Sequence, residues 1–276
     1  MGRDQPIFSS PAPALARKFP PMTRPLPPWL LPCVLVLTTQ PLPAQVTETP
    51  HTVAPGRVLL EVDGVRFTVG HAEIDGGTVD ALAVGSTLLT TGLTRSLDLQ
   101  LGVDLFLRQS VSIGGRRDSD AGLGDVSFRT KWTFWRADSG TAALALIPYV
   151  RLPTSTAGLG SERIDGGLIL PWSSVGPVGV VTGAMLQWDS TSAADGRRHR
   201  WSGAAFVRRD LFRLLSTYAE VTLEAEAGSW SAREGTLGAG ALLRPWGGLE
   251  IDYQIQRGLN RRAPDWIHTL RFNWEW

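Results

Sequence analysis

Charged residues at even spacings in two segments are the strongest candidates for a polar lining. Asp125, Arg129 and Lys131 belong to the first segment, and Glu220 and Glu224 to the second. In an extended chain, positions two or four residues apart share one face. These five residues are therefore predicted to face a common interior. There Asp125, Arg129 and Lys131 form either a ladder of paired charges or a constriction that selects solute; the ladder is the favoured interpretation.

Residue spacing gives little support to catalysis or metal binding. The four histidines lie far apart, at His51, His71, His199 and His268. No HExxH motif and no Gly-x-Ser-x-Gly elbow occurs. Asp189, Asp195 and His199 could be arranged as a hydrolase site at an outer rim, but a solvated loop is the favoured interpretation. We therefore expect no enzyme activity, no bound metal and no cofactor.

The last ten residues, 267–276, indicate the kind of element that carries such side chains. Leu270, Phe272, Trp274 and Trp276 alternate with polar residues, which is typical of a strand with one apolar and one polar face. A soluble edge strand that exposed three aromatic residues would invite aggregation. The pattern instead favours the last strand of an outer-membrane β-barrel, with Phe272, Trp274 and Trp276 as the signal that the barrel-assembly machinery recognises.

Composition excludes two other classes of protein. The chain has 276 residues and a net charge of +1. It contains no run of ~18 apolar residues, which excludes a helical membrane protein. The near-neutral charge argues against a nucleic-acid partner. Thirty glycines and eleven tryptophans suit strands, turns and interfacial aromatic residues.

Alternating segments separated by turns predict an all-β fold, a single antiparallel up-and-down transmembrane barrel of about 12 strands. The segments are 57–70, 78–91, 95–109, 122–136, 140–152, 164–173, 177–189, 198–209, 212–226, 234–244, 247–257 and 265–276. Long polar connections such as 110–121, 153–163 and 189–197 alternate with tight turns, as expected when both termini are periplasmic. Asp63-Gly64 is a candidate bulge that switches the face of the first strand.

The N-terminal region predicts export. Basic residues precede a short apolar core, Trp29 to Thr38, and Ala44 offers a cleavage point. Residues 1–44 are therefore expected to be a signal peptide that starts at Met1 or at Met22. Residues 45–56 are expected to be a periplasmic tail or a plug in the lumen, and residues 57–276 the barrel. The single cysteine, Cys33, falls within the signal peptide.

Two short motifs resemble those of a known barrel family. The chain has Gly122-x-Gly124-Asp125 at one strand opening and Leu152-Pro153-Thr154 at the end of the next. This pattern resembles the outer-membrane proteins of the meta-pathway phenol-degradation family, which are related in form to transporters of aromatic hydrocarbons. Ser155 stands where that family prefers glycine. The resemblance implies a barrel in the outer membrane of a diderm bacterium and a general uptake role.

These observations predict a function in passive uptake or binding of small molecules, hydrophobic or aromatic ones among them. Outer-membrane lipid, the barrel-assembly machinery and a small solute are the expected partners. Two alternatives are a structural or interaction barrel with a blocked lumen and, less favoured, an outer-membrane hydrolase. The sequence does not specify the solute, the openness of the lumen or the oligomeric state.

Overall fold

A computed structural model describes residues 47–71, 77–193 and 196–276, while the expected signal peptide lies outside these ranges. Within them no helix is long and apolar enough to cross a membrane. Short 3-10 turns occur at Pro177–Gly179 and Trp230–Ala232. The strands are β1 Val58–His71, β2 Thr78–Thr94, β3 Leu97–Ile113, β4 Arg116–Gly122, β5 Val126–Arg136, β6 Ala142–Leu152, β7 Asp165–Val175, β8 Val180–Ala193, β9 Gly196–Phe212, β10 Leu215–Glu226, β11 Glu234–Trp246, β12 Leu249–Gly258 and β13 Trp266–Glu275.

The strands close into one antiparallel barrel because β1 pairs with both β2 and β13. β4 and β5 occupy a single wall position, since both pair with β3, at 107–113 and at 97–103 respectively. The described wall therefore has twelve strand positions. Its hydrogen-bonded edges are satisfied within the chain, which is what a hydrocarbon environment requires. The predicted fold class is confirmed.

Each strand presents apolar residues outward and polar residues inward. Along β3, Leu99 and Leu101 are exposed on the outside, whereas Asp98 and Gln100 are buried in the interior. Most of the buried side chains are polar, the reverse of a soluble core. One inward apolar patch interrupts this pattern and consists of Ile147, Ile169, Met185 and Ala204 with Tyr149 at its edge.

The two faces are interchanged at irregularities in the first three strands. The register of β1 against β13 shifts between Asp63 and Val65, as the bulge prediction expected. A second change lies beside Gly85, whose φ is +71°. Beyond it Phe106 is exposed, whereas Leu107 lines an interior cavity. Glycine adopts this φ without steric cost, so the pleat can reverse there.

Two connections expected as loops are mostly paired strands. The segment 110–121 forms a hairpin in which β3 and β4 meet at Gly114 and Gly115, with φ of 56° and 78°. Two consecutive residues with positive φ are typical of a type I′ hairpin turn. Likewise β8 extends to Ala193 and β9 begins at Gly196. These polar strands project beyond the apolar zone, so they show no alternation that would reveal them in the sequence.

The two faces should respond differently to an added charge. Leu223 is 51% exposed on the outer face of β10, whereas the hydroxyl of its neighbour Thr222 lies 2.7 Å from that of Thr236. If Leu223 lies near the bilayer midplane, Leu223→Arg should lower the free energy of unfolding by ~2–4 kcal/mol. Thr222→Arg should cost much less, because water reaches the lumen. Urea unfolding in lipid vesicles measures both, and equal losses would contradict the assigned faces.

Candidate functional site

An extended segment, residues 47–56, follows the inside of the barrel; we call it the strap. At its start the backbone N–H and the hydroxyl of Thr47 both donate to Oε1 of Glu220, each at 2.7 Å. The other carboxylate oxygen of Glu220 accepts a bond of 2.7 Å from the side-chain amide of Gln254. Glu220 lies on β10 and Gln254 on β12, so the strap begins against this side of the wall.

The next residue of the strap reaches the opposite side. Glu48 accepts a hydrogen bond from Arg129, and its second oxygen lies 3.6 Å from the ammonium of Lys131. Both partners lie on β5, which is separated from β10 by four strand positions in one direction and six in the other. The backbone N–H of Glu48 donates to the sulfur of Met185 on β8 at 3.3 Å. Thr47 and Glu48 therefore form a crossbar between opposite walls.

Beyond the crossbar the strap descends along one wall to β1. The carbonyl of Pro50 accepts a bond from Thr133, and the ring of His51 lies 3.1 Å from the hydroxyl of Ser173. The N–H of Val53 donates to Asp98 at 3.1 Å. At Gly92 the contact is so close that a Cβ atom would lie 2.4 Å from the carbonyl oxygen of Ala54. The strap is thus fixed along its length.

Electrostatics keep the crossbar charged. Burial by itself would raise the pKa of Glu48, but Arg129 and Lys131 outweigh it and lower the pKa from 4.5 to about 2. The pKa of the His51 imidazole is lowered by burial and by Arg136 and Lys131, so the ring is neutral at physiological pH. The strap is therefore bound by an ion pair at the crossbar and by hydrogen bonds along the rest of its length.

A cavity lies on each side of the crossbar. The lower one, toward the tight turns and the termini, has a volume of about 1210 Å³ and is lined by the strap and by the lower ends of β1 to β3 and β9 to β13. The upper one measures about 140 Å³ and includes Arg66, Asp104, Met185 and Gln256. Met185 lines this cavity and also accepts the hydrogen bond from Glu48, so the cavity lies next to the crossbar.

The five residues expected to line the lumen have separate partners, and Asp125 does not join Arg129 and Lys131 in one ladder. Arg129 and Lys131 contact Glu48, and Glu220 binds Thr47. Glu224 pairs with Arg200 at 2.5 Å, higher in the barrel. Asp125 does not appear among these contacts: its carboxylate accepts bonds from the backbone N–H groups of Thr154, Ser155 and Ser161, residues of the following loop.

Sequence reasoning missed two buried contacts. Glu48 lies in the stretch 45–56, which was expected to be a tail or a plug in the lumen, but without periodicity nothing identified this residue as the partner of Arg129. Arg271 and Asp63 form a buried pair at 2.5 Å across the β1–β13 seam. Arg271 could have been found, because it stands between Leu270 and Phe272 in the terminal alternation and must face inward.

The terminal aromatic residues lie on the outer face. Phe272, Trp274 and Trp276 are all exposed, and the rings of Trp274 and Trp276 are 5.6 Å apart. Trp276 also exchanges two backbone hydrogen bonds with Val58 at the seam. Their role as an assembly signal stays a prediction.

The residues considered for a hydrolase site do not converge. Asp189 is buried in the lumen and accepts bonds from Tyr149 and Gln187. His199 stacks on Trp188 on the opposite face of the wall. Asp195 lies outside the described residues. Among the described residues no group of three or more His, Cys, Asp or Glu side chains is placed to hold a metal ion.

A closed antiparallel barrel with an apolar exterior and a charged interior defines an outer-membrane β-barrel. Exposed tryptophans stand near both rims, Trp201 and Trp266 at one end and Trp135, Trp246 and Trp274 at the other. The protein is therefore located in the outer membrane of a diderm bacterium. The chain belongs to the family described as "Putative MetA-pathway of phenol degradation", whose sequence profile matches residues 44–276. The family resemblance of the two motifs is thereby confirmed.

The chain is similar to several solved structures. An outer-membrane channel from Pseudomonas putida F1 is 15% identical, with 82% of this chain and 97% of that chain covered and a TM-score of 0.65. The NanC porin is 9% identical, with coverages of 78% and 97% and a TM-score of 0.48. The CymD monoaromatic hydrocarbon channel is 9% identical, with coverages of 84% and 90% and a TM-score of 0.46. No curated protein matches the chain.

Proposed function

We propose that this protein is a passive channel that admits small molecules through the outer membrane, and that the strap limits the flux. The observation that carries this proposal is the crossbar of Thr47 and Glu48, with open space above and below it. A wall of twelve strands encloses a lumen whose width is intermediate between that of the filled eight-stranded barrels and that of the open sixteen-stranded porins. One segment, and not the wall itself, then obstructs the path.

We propose small, neutral, partly apolar molecules as the solute class, with single-ring aromatic compounds among them. The family description refers to phenol degradation. The interior contains a buried apolar patch, Ile147, Ile169, Met185 and Ala204, and its Met185 lines the upper cavity beside charged and hydrogen-bonding groups. A surface of both kinds suits a ring that carries a hydroxyl group. Passive passage needs neither a cofactor nor a catalytic site, so we propose that the protein is not an enzyme.

Outer-membrane lipid and the barrel-assembly machinery are the proposed partners. The outward leucines and aromatic residues would contact lipid, and the terminal strand would be recognised during insertion.

Ion selectivity tests the channel proposal. Replacing both Arg129 and Lys131 by Gln should shift permeability toward cations, because two inward positive charges are lost and the remaining inward carboxylates then dominate the local field. Reversal potentials in planar bilayers under a salt gradient measure the shift. Thr130→Gln, between the two positions on the outer face, is the matched control and should leave selectivity unchanged.

The alternative is a structural barrel with a blocked lumen, and the strap's contacts with several strands favour it. If neither the wild-type protein nor a strap-deleted variant conducts, the channel proposal is wrong and the structural barrel replaces it.

A further inference from the structure

The Gly-x-Gly-Asp and Leu-Pro-Thr motifs meet around one carboxylate that the channel lining does not use. Oδ1 of Asp125 accepts bonds from the N–H groups of Thr154 at 3.1 Å and Ser155 at 2.9 Å. Oδ2 accepts a bond of 2.7 Å from the N–H of Ser161. In return, the hydroxyl of Thr154 accepts a bond from the N–H of Val126 at 2.8 Å. The two motifs therefore form a single unit.

This unit holds the loop of residues 153–164, which we call the mouth loop, on the lumen side of the wall. Asp125 continues the inward series of Ser127, Arg129 and Lys131, and it is only 7% exposed. Backbone groups that reach its carboxylate must therefore lie inside the barrel rim. Leu159 at the tip of the mouth loop is 4% exposed, although it belongs to a connection between strands.

Close packing leaves little freedom for this arrangement. A Cβ atom on Gly160 would lie 2.5 Å from Oδ2 of Asp125, and one on Gly122 would lie 2.1 Å from the hydroxyl of Thr156. Glycine at both positions lets the mouth loop approach the strand. The turn of the mouth loop just before Gly160 contains Ala157 with φ of +56°. This conformation costs a non-glycine residue free energy. The surrounding contacts must outweigh that cost.

The contacts continue from the mouth loop to the neighbouring hairpin. The hydroxyl of Ser161 donates to Asp165 at 2.5 Å, and the other oxygen of Asp165 accepts bonds from the backbone and hydroxyl of Ser192. Arg197 lies 3.7 Å from the same carboxylate. Asp125 thus stands at the start of a buried hydrogen-bond chain that connects β5, the mouth loop and the β8–β9 hairpin.

We propose that Asp125 is the positioning residue of the extracellular mouth: its carboxylate latches the mouth loop inward, so that this loop narrows the entrance above the crossbar. The consequence for flux rests on the proposed channel function. The latch itself does not, because it is a property of the folded chain. Releasing the latch frees the mouth loop while the barrel wall stays intact.

Hydrogen exchange at three amides tests the latch directly. In the wild-type barrel in detergent or lipid, the N–H groups of Thr154, Ser155 and Ser161 should be protected. Asp125→Ala should accelerate exchange at Ser155 and Ser161 by about 100-fold, since local opening then replaces buried bonding. The effect at Thr154 should be smaller, because its N–H also donates to the carbonyl of Leu152 at 2.8 Å. Asp125→Asn should accelerate exchange at Ser161 but not at Thr154 or Ser155. The side-chain carbonyl oxygen of Asn can keep the two bonds that Oδ1 accepts, whereas its NH₂ group cannot accept a bond from Ser161.

Two control variants, Asp120→Ala and Gly247→Ala, accompany a second perturbing variant, Gly160→Ala. Asp120→Ala removes an exposed carboxylate of the adjacent β4 and should leave all three amides protected. Gly160→Ala keeps the carboxylate but places a methyl group against it, so exchange should rise. Gly247→Ala, at a glycine whose Cβ would meet nothing within 4 Å, should have no effect. Heat-modifiable migration of each variant shows that the barrel has folded.

Unchanged protection in both Asp125→Ala and Gly160→Ala would overturn the latch, because the mouth loop would then be held by its own turn. In planar bilayers, a released mouth loop should add fluctuations to the current of Asp125→Ala that Asp120→Ala lacks. A steady current with fast amide exchange would mean that the loop opens without narrowing the entrance, which also overturns the proposal. A barrel that never conducts would contradict the channel function, and the exchange result would still decide the latch.

Discussion

A variant that lacks residues 47–53 should conduct several-fold more current than the wild-type barrel. These residues provide the crossbar between Glu220 on β10 and Arg129 on β5 and the contacts along the wall below it. Without them the two cavities join into one path, and the freed side chains are solvated by water that enters the lumen. Single-channel recording in planar bilayers measures the change.

The control for this deletion is Thr49→Ala, which alters the strap without removing the anchors at Thr47 and Glu48. Its conductance should match that of the wild type.

Acid should also detach the strap from the wall. Because the pKa of Glu48 is lowered to about 2, the ionised attachment is fully present above pH 4.5 and is lost as the pH falls through about 2. The increase in conductance that follows loss of the Glu48 attachment should therefore appear only as the pH falls toward about 2. Equal currents from the deleted and intact barrels would show that the wall side chains close the lumen.

Deletion of Phe272 to Trp276 should abolish insertion into the outer membrane while export continues. These residues carry the exposed aromatic face, and they also close the seam, where Val62 pairs with Phe272 and Leu60 with Trp274. Without them the ends of β1 and β12 lose their shared partner, and open edges are not tolerated in lipid. Outer-membrane fractionation with heat-modifiable migration measures the outcome. Folded protein in that fraction would contradict the assignment of this strand.

A substitution separates the aromatic signal from the seam. Replacing Phe272, Trp274 and Trp276 by Ser keeps every backbone bond of β13 but removes the aromatic face, so insertion should still fail. Replacing Phe128, Trp132 and Phe134, outward residues of β5, by Ser removes the same chemistry elsewhere and should impair insertion less. If the two triple variants insert equally well, the terminal residues act through closure alone and the signal hypothesis is wrong.

Local patterns were sufficient to predict the wall of this barrel. A strand places successive side chains on opposite faces. The alternation within β3 and within β10 is therefore enough to predict which residues face lipid and which face the lumen, without knowledge of the neighbouring strands. The Asp63-Gly64 bulge was also predictable, because a charged residue and a glycine interrupt the alternation of apolar and polar residues in β1. Polar hairpin strands such as β4 were not, since both of their faces meet water and no periodicity distinguishes them from loops.

The chemistry of the interior depended on the tertiary structure. Arg129 pairs with Glu48, 81 residues away, and the strap carries no periodic pattern that would assign it to the lumen. The same limit applied to Asp125, which the alternation placed inward but could not assign to the mouth loop. The sequence by itself determined which residues face inward, because that depends on each residue's position in its own strand. Only the closed barrel decided which of them are in contact. Its curvature brings together residues that are far apart along the chain, and no local sequence pattern predicts such contacts.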